Sequence, residues 1–357
     1  MGKESTPKII IAEKEIESLI SEKQPVFVDA FEFQVKELFY IENASYIGVP
    51  KEEAYASDDF EKFKESMLGE FSHVYYPWNN HLVKCVNSEA YFKLKTNRNQ
   101  DLITKEEQDI LSKKHVAVFG LSVGSNIVTT LTQAGISQEI TIADFDELDT
   151  TNLNRILAGV HQVGLNKVDV AARKIYEDNP YAKVNSFPEG VTKENLHTIL
   201  DSGVDLIVEE IDSLPFKIQT RILAMEKKLP VVMVTDNGDG VVLHVERYDL
   251  GHNKIFGKDP SFWLELMSKE PPSKEEMAKL IVNEIVGGPD KVDSRMMKSV
   301  KRVIDKELIS WPQLGSAAIL AGVVATIFVK RILLGENTDK DIRSNIFIQE
   351  KGLGSHT

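Results

Sequence analysis

The sequence predicts an α/β protein with a doubly wound, mostly parallel sheet, a small N-terminal α+β segment and a helical C-terminal region. Three observations carry this prediction. Apolar strands alternate with amphipathic helices over residues 104–248, a glycine-containing turn joins the first of these strands to its helix, and the stretch 204–212 begins as a near-continuous apolar run. Such alternation is typical of a doubly wound fold, and an unbroken apolar strand is typical of a parallel sheet covered on both faces.

The elements of the alternating region follow from hydrophobic periodicity and from end signals. Thr104, with Glu107 three residues later, forms a capping box that starts a helix before the first strand. Lys167 begins a helix that Pro180 ends, because proline cannot continue one. The predicted elements are, in order, strand 115–119, a helix that Gly135 ends, strand 139–146, the helix from Lys167, strand 182–187, helix 193–203, strand 204–212, helix 215–228, strand 230–236 and strand 240–248.

The flanking regions carry weaker patterns. In the N-terminal segment, short apolar runs at 25–31, 44–49 and 73–78 predict strands among helices, and no chemistry is evident there. Residues 250–334 are mostly helical by pattern and include the most apolar run of the chain, 315–329. This run is shorter than the roughly 20 residues that a membrane-spanning helix needs. We therefore expect a buried helix, in the core or at a subunit contact, and no membrane segment.

The composition argues against several classes of protein. The formal net charge of −13 argues against a general affinity for nucleic acid, because that affinity comes from neutralising phosphates. The single cysteine, Cys85, rules out an internal disulfide framework and a zinc site of paired CxxC type, and it suits a cytoplasmic compartment. We expect a buried thiol there rather than a nucleophile, since no base accompanies it.

The glycine turn "GLSVGSN", which begins at Gly120, is the first candidate site. Gly120 and Gly124 allow backbone to approach a phosphate, the next helix offers free N–H groups to an anion, and Ser122 and Ser125 add hydroxyl donors. A tight strand–helix turn without a ligand explains the same letters.

The same turn also matches the GxSxG pattern of a hydrolase nucleophile. Ser122 would then be the nucleophile, with His244 or His252 as the later base of a triad. Against this interpretation, the turn follows the first strand of the alternating unit, whereas the hydrolase turn normally follows several.

Polar residues follow the second and fourth strands. Asp144 lies 24 residues after Gly120, near where an acidic residue commonly binds ribose hydroxyls, and Asp146 lies one strand period further. Asn152 and Arg155 come next and favour a site over a plain capped loop. Helix capping and a solvated loop remain the alternative.

Two further features point to an anionic ligand and a metal. Lys167 stands in the first turn of a helix, where the helix dipole disfavours a cation, so an anion would explain its position. Glu209, Glu210 and Asp212 end the fourth strand, and one of them could hold Mg²⁺. An ordinary surface lysine and helix capping by Asp212 or Ser213 are the alternatives.

The order of these motifs resembles the ThiF/MoeB/HesA adenylyltransferases, bacterial relatives of ubiquitin-activating enzymes. The glycine turn, "DFDELDTTNLNR", "GLNK", "EDNP" and "EEID" occur in the family's sequence order over roughly residues 96–248. The chain is similar to a subgroup with "GLSVGSN", "YYPW" and "DNGDG" segments. The resemblance implies a Rossmann-like nucleotide-binding domain over 96–250, an accessory segment over 1–95, and a C-terminal region over 251–357 that completes the domain and supplies a dimer contact.

The resemblance implies an activity and a set of roles. Family members use Mg·ATP to convert a carboxylate, most often a peptide or small-protein C-terminus, into an acyl-adenylate with release of pyrophosphate. By motif, Asp144 would hold the ribose, while Asn152, Arg155 and Lys167 would hold the triphosphate and offset developing charge. Asp212 would take the magnesium ion.

The resemblance also implies a homodimer, in which Arg98 would reach the phosphates bound to the other subunit. The chain departs from the family pattern in its shortened glycine turn and in Ile156, where glutamine is usual. Without a cysteine after the nucleotide motifs, we expect no thioester relay. An NAD- or FAD-dependent oxidoreductase and a non-catalytic scaffold of the same fold remain alternatives, and a tRNA-modifying cyclase or dehydratase ranks below a peptide or protein substrate.

Overall fold

The structure, a computed structural model, describes residues 5–10, 12–269, 272–336 and 340–346. The chain divides into two units. The first takes in the residues up to Asp109 together with Gln133–Gly135 and Ala172–Ala182. The second comprises Ile110–Thr132, Ile136–Ala171 and the residues from Lys183 onwards.

The first unit holds a four-stranded sheet with the order β1-β3-β4-β2. Its elements are β1 (Lys8–Ile10), α1 (Glu13–Lys23), β2 (Val26–Asp29), α2 (Phe31–Glu42), α3 (Lys51–Tyr55), α4 (Asp58–Ser66), β3 (Phe71–Tyr76), β4 (His81–Val86) and α5 (Ser88–Thr96), followed by α6 (Lys105–Ser112), which runs past the end of this unit. The capping box before α6 is confirmed, because the Thr104 and Glu107 side chains each accept the other's backbone N–H.

One predicted strand of this unit, 44–49, is wrong. Ala44–Tyr46 forms a 3₁₀ turn, in which the Tyr46 ring packs on Phe39 with the ring centroids 4.9 Å apart. Ile47 is 74% exposed, so the run has no second apolar side to bury against a sheet. An apolar run this short does not by itself distinguish a strand from a turn.

The second unit holds a seven-stranded sheet with the order β11-β10-β9-β8-β5-β6-β7. Its elements are β5 (His115–Phe119), α7 (Gly124–Gln133), β6 (Glu139–Ala143), α8 (Lys167–Asp178), β7 (Lys183–Phe187), α9 (Leu196–Leu200), β8 (Leu206–Glu209), α10 (Leu214–Lys227), β9 (Val231–Asn237), β10 (Gly240–Glu246), α11 (Pro260–Ser268), α12 (Lys274–Leu280), a π-helical segment (Ile281–Val286), α13 (Ser294–Ile304), α14 (Gly315–Leu333) and β11 (Ile342–Ile346). The ends of α7 and α8 extend beyond the limits of this unit.

This sheet confirms the predicted α/β fold. Strands β5 to β9 pair in parallel, and β10 and β11 add antiparallel at one edge. Strands β5 and β8 are buried along their whole lengths, as expected for parallel strands covered on both faces. From β5 the chain builds β6 and β7 on one side and then crosses to β8 on the other. Ligands of such sheets bind where the strand order reverses, here at the carboxyl ends of β5 and β8.

Two predicted strands of this sheet end three residues earlier than expected, and each end has a local cause. The predicted strand 139–146 ends at Ala143, because the next side chain, Asp144, accepts the N–H groups of Leu121 and Asp146. The predicted strand 204–212 ends at Glu209, whose carboxylate accepts the N–H of Ile211 at 2.6 Å.

The apolar helix near the C-terminus is longer than its most apolar run suggested. It spans 19 residues as α14, and by length and composition alone it could cross a membrane. One face packs against β9 and β10, and a Cβ on Gly322 would lie 2.9 Å from the Asn126 carbonyl oxygen. The opposite face exposes Ile319, Val323 and Ile327, which lie four residues apart. The packing of α14 supports the prediction of a buried helix, although the argument from its length was wrong.

Candidate active site

The glycine turn after β5 lies directly against the end of β8. Gly120 has φ +85°, and a Cβ there would lie 2.5 Å from the backbone oxygen of Glu210. A Cβ on Gly124 would lie 3.1 Å from Val118 Cγ1. Gly120 is therefore required by the packing of the turn on the sheet, whether or not a phosphate approaches, whereas a Cβ on Gly124 would need the Val118 side chain to shift by a few tenths of an ångström. The packing also brings the start of α7 next to the chain that leaves β8.

Asp144 fastens the glycine turn to the loop after β6. Its Oδ2 accepts the N–H of Leu121 at 2.6 Å, and its Oδ1 accepts the N–H of Asp146 at 2.8 Å. Burial raises the pKa of its carboxyl group, partly offset by these two hydrogen bonds and by Lys167. A carboxylate has about four lone-pair sites, so Asp144 keeps acceptor capacity for ribose hydroxyls.

Lys167 is the first residue of α8, as the sequence predicted, and it is only 7% exposed. Its ammonium group donates to Asp146 Oδ2 at 2.6 Å, and its backbone N–H donates to the Asp146 carbonyl. The Asp146 side chain is half exposed. Asp146 thus neutralises a buried lysine beside Asp144, so its carboxylate is already engaged where the sequence suggested a second nucleotide contact.

Arg155 is held over the glycine turn by several short hydrogen bonds. Its Nε donates to Ser122 Oγ at 2.9 Å, and its Nη1 donates to Asn154 Oδ1 at 2.9 Å. Asn152 is buried and closes the preceding turn, where its Oδ1 accepts the N–H of Asp149 at 3.0 Å. Asn152 therefore shapes the loop that presents Arg155.

Asp212 stands at the carboxyl end of β8 with an exposed carboxylate. The residue that caps α10 is Ser213, and its side chain makes no capping hydrogen bond. Within the described ranges, no hydrogen bond or ion pair is found for the Asp212 carboxylate. Burial lowers the pKa of the Arg155 guanidinium, and Asp236 and Asp212 oppose that shift. Arg155 therefore lies within electrostatic reach of both carboxylates.

Asp236, near the end of β9, is a further candidate that the sequence analysis did not single out. It is 9% exposed, and burial raises the pKa of its carboxyl group to about 6, although Arg155 opposes the rise. Its Oδ2 accepts a long hydrogen bond, 3.4 Å, from Gln313 Nε2, and its Oδ1 is buried without a partner in the part of the chain that the structure describes. The sequence signals were its position as the last residue of the predicted strand 230–236 and the "DNGDG" segment that begins there.

The structure removes Glu209 from the candidate metal ligands. Glu209 is fully buried and pairs with Arg221 Nη1 and with Lys217 Nζ. Burial alone would raise the pKa of Glu209, but Lys217 and Arg221 hold it below its ordinary value. Its neighbour Glu210 accepts the N–H of Val234 at 2.7 Å, and burial raises its pKa well above the usual range. Among the three acidic residues, only Asp212 has an exposed carboxylate without a partner in the described ranges.

The structure contradicts the alternative in which Ser122 is a hydrolase nucleophile. The Ser122 hydroxyl accepts a hydrogen bond from Arg155, and a cation there does not serve as a general base. His244 is buried with its Nε2 2.8 Å from the Ile285 carbonyl oxygen, and His252 Nδ1 lies 2.7 Å from Asp341 Oδ1. Both candidate histidines are therefore engaged elsewhere.

Three remaining predicted residues have simple placements. Ser125 is in the first turn of α7, and its hydroxyl donates to the Ser122 carbonyl at 2.9 Å. Arg98 is in the 3₁₀ turn Asn97–Asn99 of the first unit, so its predicted role across a dimer stays a prediction. Cys85 is buried, and burial raises the pKa of its thiol, which agrees with the expectation of a buried thiol.

Comparison with known proteins adds to this geometry. The profile of the ThiF family matches residues 94–349. An uncharacterized protein of Mycobacterium tuberculosis is 34% identical over 270 residues, or 73% of this chain and 36% of that protein. The tRNA threonylcarbamoyladenosine dehydratase of Bacillus subtilis is 31% identical over 137 residues, or 38% of this chain and 54% of that enzyme. The chain thus spans between about a third and about half of these relatives.

Two solved structures show the same fold. The tRNA N6-threonylcarbamoyladenosine dehydratase of E. coli in complex with AMP aligns with a TM-score of 0.50 and 19% identity, covering 68% of this chain and 95% of that one. E. coli MccB with succinimide aligns with a TM-score of 0.50 and 16% identity, covering 86% of this chain and 79% of that one. At such identities the likeness shows the fold, and the site must be argued from its own residues.

Proposed function

Because this chain belongs to the ThiF family, we propose that it is an ATP-dependent adenylyltransferase that activates a carboxylate. The observation that carries the proposal is the position of Arg155. It is bonded to the glycine turn through Ser122 and lies within electrostatic reach of two carboxylates, Asp212 and Asp236. A guanidinium bonded to the turn before a helix N-terminus, and within electrostatic reach of two carboxylates, suits a triphosphate with its divalent cation.

Several features favour ATP over a dinucleotide. An NAD or FAD site would use the glycine turn and Asp144 but would give no role to Arg155, Lys167 or Asp212. The similar E. coli dehydratase was solved with AMP, and we extend adenine-nucleotide binding to this chain as part of the proposal. Asp144 would accept hydrogen bonds from the ribose while it holds the glycine turn in place.

Magnesium fits the residues present. Asp212 offers an exposed carboxylate that is not used as a helix cap, and Mg²⁺ in nucleotide sites takes one or two carboxylates together with phosphate oxygens and water. We therefore assign Asp212 to hold the ion. When bound, the ion would neutralise charge on the leaving pyrophosphate and fix the triphosphate in one geometry.

The residues of this chain would act mainly by positioning and by charge. In the reaction, an oxygen of the substrate carboxylate forms a bond to the α-phosphorus, the bond to the bridging oxygen breaks, and pyrophosphate leaves with that electron pair. Lys167 and Arg155 would offset the negative charge that develops on the phosphate oxygens. Both side chains are anchored before ligand binds, Lys167 by Asp146 and Arg155 by Ser122, so little reorganisation is needed during the reaction.

The substrate we propose is the C-terminal carboxylate of a peptide or small protein. The net charge of −13 supports this choice over a polyanionic RNA. A tRNA base carrying a carboxylate is the second candidate, and the match to the Bacillus subtilis tRNA threonylcarbamoyladenosine dehydratase favours it. Both substrates present a carboxylate, so the chemistry at the nucleotide is the same.

We further propose that the protein acts as a homodimer in the cytoplasm. The exposed stripe Ile319, Val323 and Ile327 on α14 supports a contact between subunits, because adjacent apolar side chains on one helix face mark interaction sites. Within such a dimer, Arg98 would reach the phosphates bound to the other subunit.

A nucleotide-binding experiment tests the proposal. ATP, AMP, NAD and FAD are titrated separately into the full-length protein with Mg²⁺ present, and binding is followed by calorimetry and by thermal shift. A ligand at a thousandfold excess over its dissociation constant should stabilise the protein by about 4 kcal/mol. We expect this response with ATP, and at least a tenfold loss of affinity in Arg155→Gln. Arg295→Gln, at an exposed arginine of α13, is the matched control and should bind as wild type does.

Catalysis is then tested by exchange of labelled pyrophosphate into ATP, with pools of peptides and of tRNA as carboxylate sources. Exchange that depends on peptide supports the main proposal, and exchange that depends on tRNA supports the second candidate. A protein that responds to NAD or FAD but not to ATP contradicts the adenylation proposal. Tight ATP binding without exchange for any carboxylate source would instead point to a nucleotide-binding scaffold.

A further inference from the structure

The carboxyl group of Asp236 is unusual because half of its acceptor capacity is buried and unused. The side chain is 9% exposed, Oδ2 has only the long contact to Gln313, and Oδ1 has no partner among the residues that the structure describes. Buried polar atoms in proteins are nearly always paired, and an exception usually marks a functional group or a missing ion. Oδ1 of Asp236 thus lacks a partner among the described residues, which leaves it available to a bound ligand.

The sheet register brings Asp236 alongside Asp212. Val208 of β8 pairs with Val232 of β9 in a parallel register. Asp212 comes three residues after the end of β8, and Asp236 is the penultimate residue of β9, so both lie toward the carboxyl ends of these two neighbouring strands. The charges of both carboxylates also act on the Arg155 guanidinium, so each of them lies within electrostatic reach of it.

Arg155 does not itself satisfy these carboxylates. No ion pair within 4 Å joins its guanidinium to Asp212 or Asp236 in the described portion of the chain, where its hydrogen bonds go to Ser122, Thr151 and Asn154. A second carboxylate beside a triphosphate would repel it unless a cation lay between them. The described residues offer no cluster of three or more metal-ligating side chains, which leaves two carboxylates with phosphate oxygens and water as the ligand set.

We propose that Asp236 is a second protein ligand of the nucleotide's divalent cation and shares that ion with Asp212. The proposal rests on the adenylyltransferase function above and makes it more specific. Asp236 would bind the ion through Oδ1, while Gln313 holds Oδ2. Of the two residues, Asp212 is exposed and follows the end of β8, whereas Asp236 is buried within β9, so Asp236 would supply the more rigid of the two ligands.

The test separates metal-dependent from metal-free nucleotide binding. ATP is titrated into full-length wild type, Asp236→Asn and Asp212→Asn by calorimetry, once with Mg²⁺ and once with EDTA. In wild type, we expect Mg²⁺ to tighten ATP binding. In Asp236→Asn, this tightening should shrink at least tenfold, while metal-free ATP should bind as tightly as in wild type or more tightly, since a repelling charge is removed. Asp239→Asn, an exposed aspartate of the following turn, is the control and should behave as wild type.

A second readout does not depend on nucleotide affinity. The electron paramagnetic resonance spectrum of Mn²⁺·ATP bound to wild type reports the ligands of the ion, and Asp236→Asn should change it. If Asp236→Asn does not fold, Asp236→Glu keeps the charge while moving the oxygens, and it should change the spectrum while retaining part of the metal dependence.

Four outcomes would overturn the inference. An Asp236→Asn variant with an unchanged spectrum and full metal dependence shows that Asp236 is not a ligand. Equal loss of metal-free and metal-dependent binding shows that Asp236 contacts ATP or supports the fold. Wild type that binds ATP without regard to Mg²⁺ removes the ion but leaves the nucleotide proposal standing. Failure of wild type to bind ATP at all removes the proposed function, and the inference with it.

Discussion

Replacing Arg221 by methionine should destabilise the second unit strongly. Arg221 on α10 is fully buried between two carboxylates, Glu209 of β8 and Glu246 of β10. With Lys217 the cluster holds two positive and two negative groups, so its formal charge is zero. Methionine fills much of the same volume but leaves one uncompensated negative charge in the core. Arg221 pairs with Glu209, the last residue of β8. The change would therefore also disturb the segment that leads from β8 to Asp212.

The expected loss of stability depends on which partners Glu209 and Glu246 keep when Arg221 is replaced. Glu209 retains Lys217, whose Nζ lies 3.2 Å from Oε1, and the N–H of Ile211. Glu246 retains the N–H of Phe256 at 2.8 Å but loses its 2.7 Å contact with Arg221 Nε. Breaking a buried pair in this way destabilises by about 3–5 kcal/mol. For a unit of this size, that corresponds to a fall of roughly 6–20 °C in Tm.

The loss should depend on pH in a defined direction. Burial already raises the pKa of Glu246, and Arg221 opposes that rise. Without Arg221 the native pKa of Glu246 rises further, so the folded state binds a proton that the unfolded state releases. Stability then falls as pH rises from the unfolded pKa of a glutamate, about 4.3, towards the native value. Arg221→Met should therefore lose more stability at pH 8 than at pH 5.

Urea unfolding at pH 5 and pH 8, followed by tryptophan fluorescence, measures both effects. Adding Glu246→Gln to Arg221→Met removes the unpaired negative charge, and the glutamine side-chain oxygen can still accept the N–H of Phe256. The double variant should therefore recover at least half of the stability that Arg221→Met loses at pH 8. A loss below about 1 kcal/mol, the level of an exposed ion pair, would refute the reasoning. So would an equal loss at both pH values.

Three further predictions concern the glycine turn, acid stability and the nucleotide site. Gly120→Ala should destabilise by about 2–5 kcal/mol, because the new Cβ meets a backbone oxygen at 2.5 Å and φ is positive; in urea unfolding, Gly164→Ala, with φ +83° and open space, should lose only about 1–2 kcal/mol. Burial lowers the pKa of His244 to about 3, so the native state binds fewer protons than the unfolded state between pH 6.5 and 3. The protein therefore loses stability as pH falls through that window. His244→Gln should make the free energy of unfolding less dependent on pH there, and an unchanged dependence would contradict this role of His244. Lys167→Met should weaken ATP binding at least tenfold in calorimetry, and undiminished ATP affinity would remove Lys167 from the site. The loss of stability should be modest, because the partner left behind, Asp146, is half exposed and water can solvate its charge.

Much of the fold could be predicted from the sequence, because the signals involved are local. The alternation of strands and helices, the capping box at Thr104 and Glu107 and the start of α8 at Lys167 each depend on residues within a few positions of one another. Where a tertiary contact competed, the prediction failed. The run 44–49 was assigned to a strand, but it has no sheet face to cover, and Tyr46 packs on Phe39 instead.

The candidate site likewise has features that follow from the sequence and features that depend on tertiary contacts. The sequence by itself determined that a glycine turn would follow one strand of a parallel sheet and that an acidic loop and Lys167 would follow the next, so that they meet at one edge. Only the tertiary structure decided which acidic groups are left to bind a ligand. Glu209 and Asp212 are three residues apart in one acidic stretch, yet the first is neutralised by Arg221 and Lys217 and the second is exposed. Asp236 became visible only when β9 was placed beside β8. The free energy of a charge depends on its burial and on its neighbours in space, and distant parts of the chain supply both.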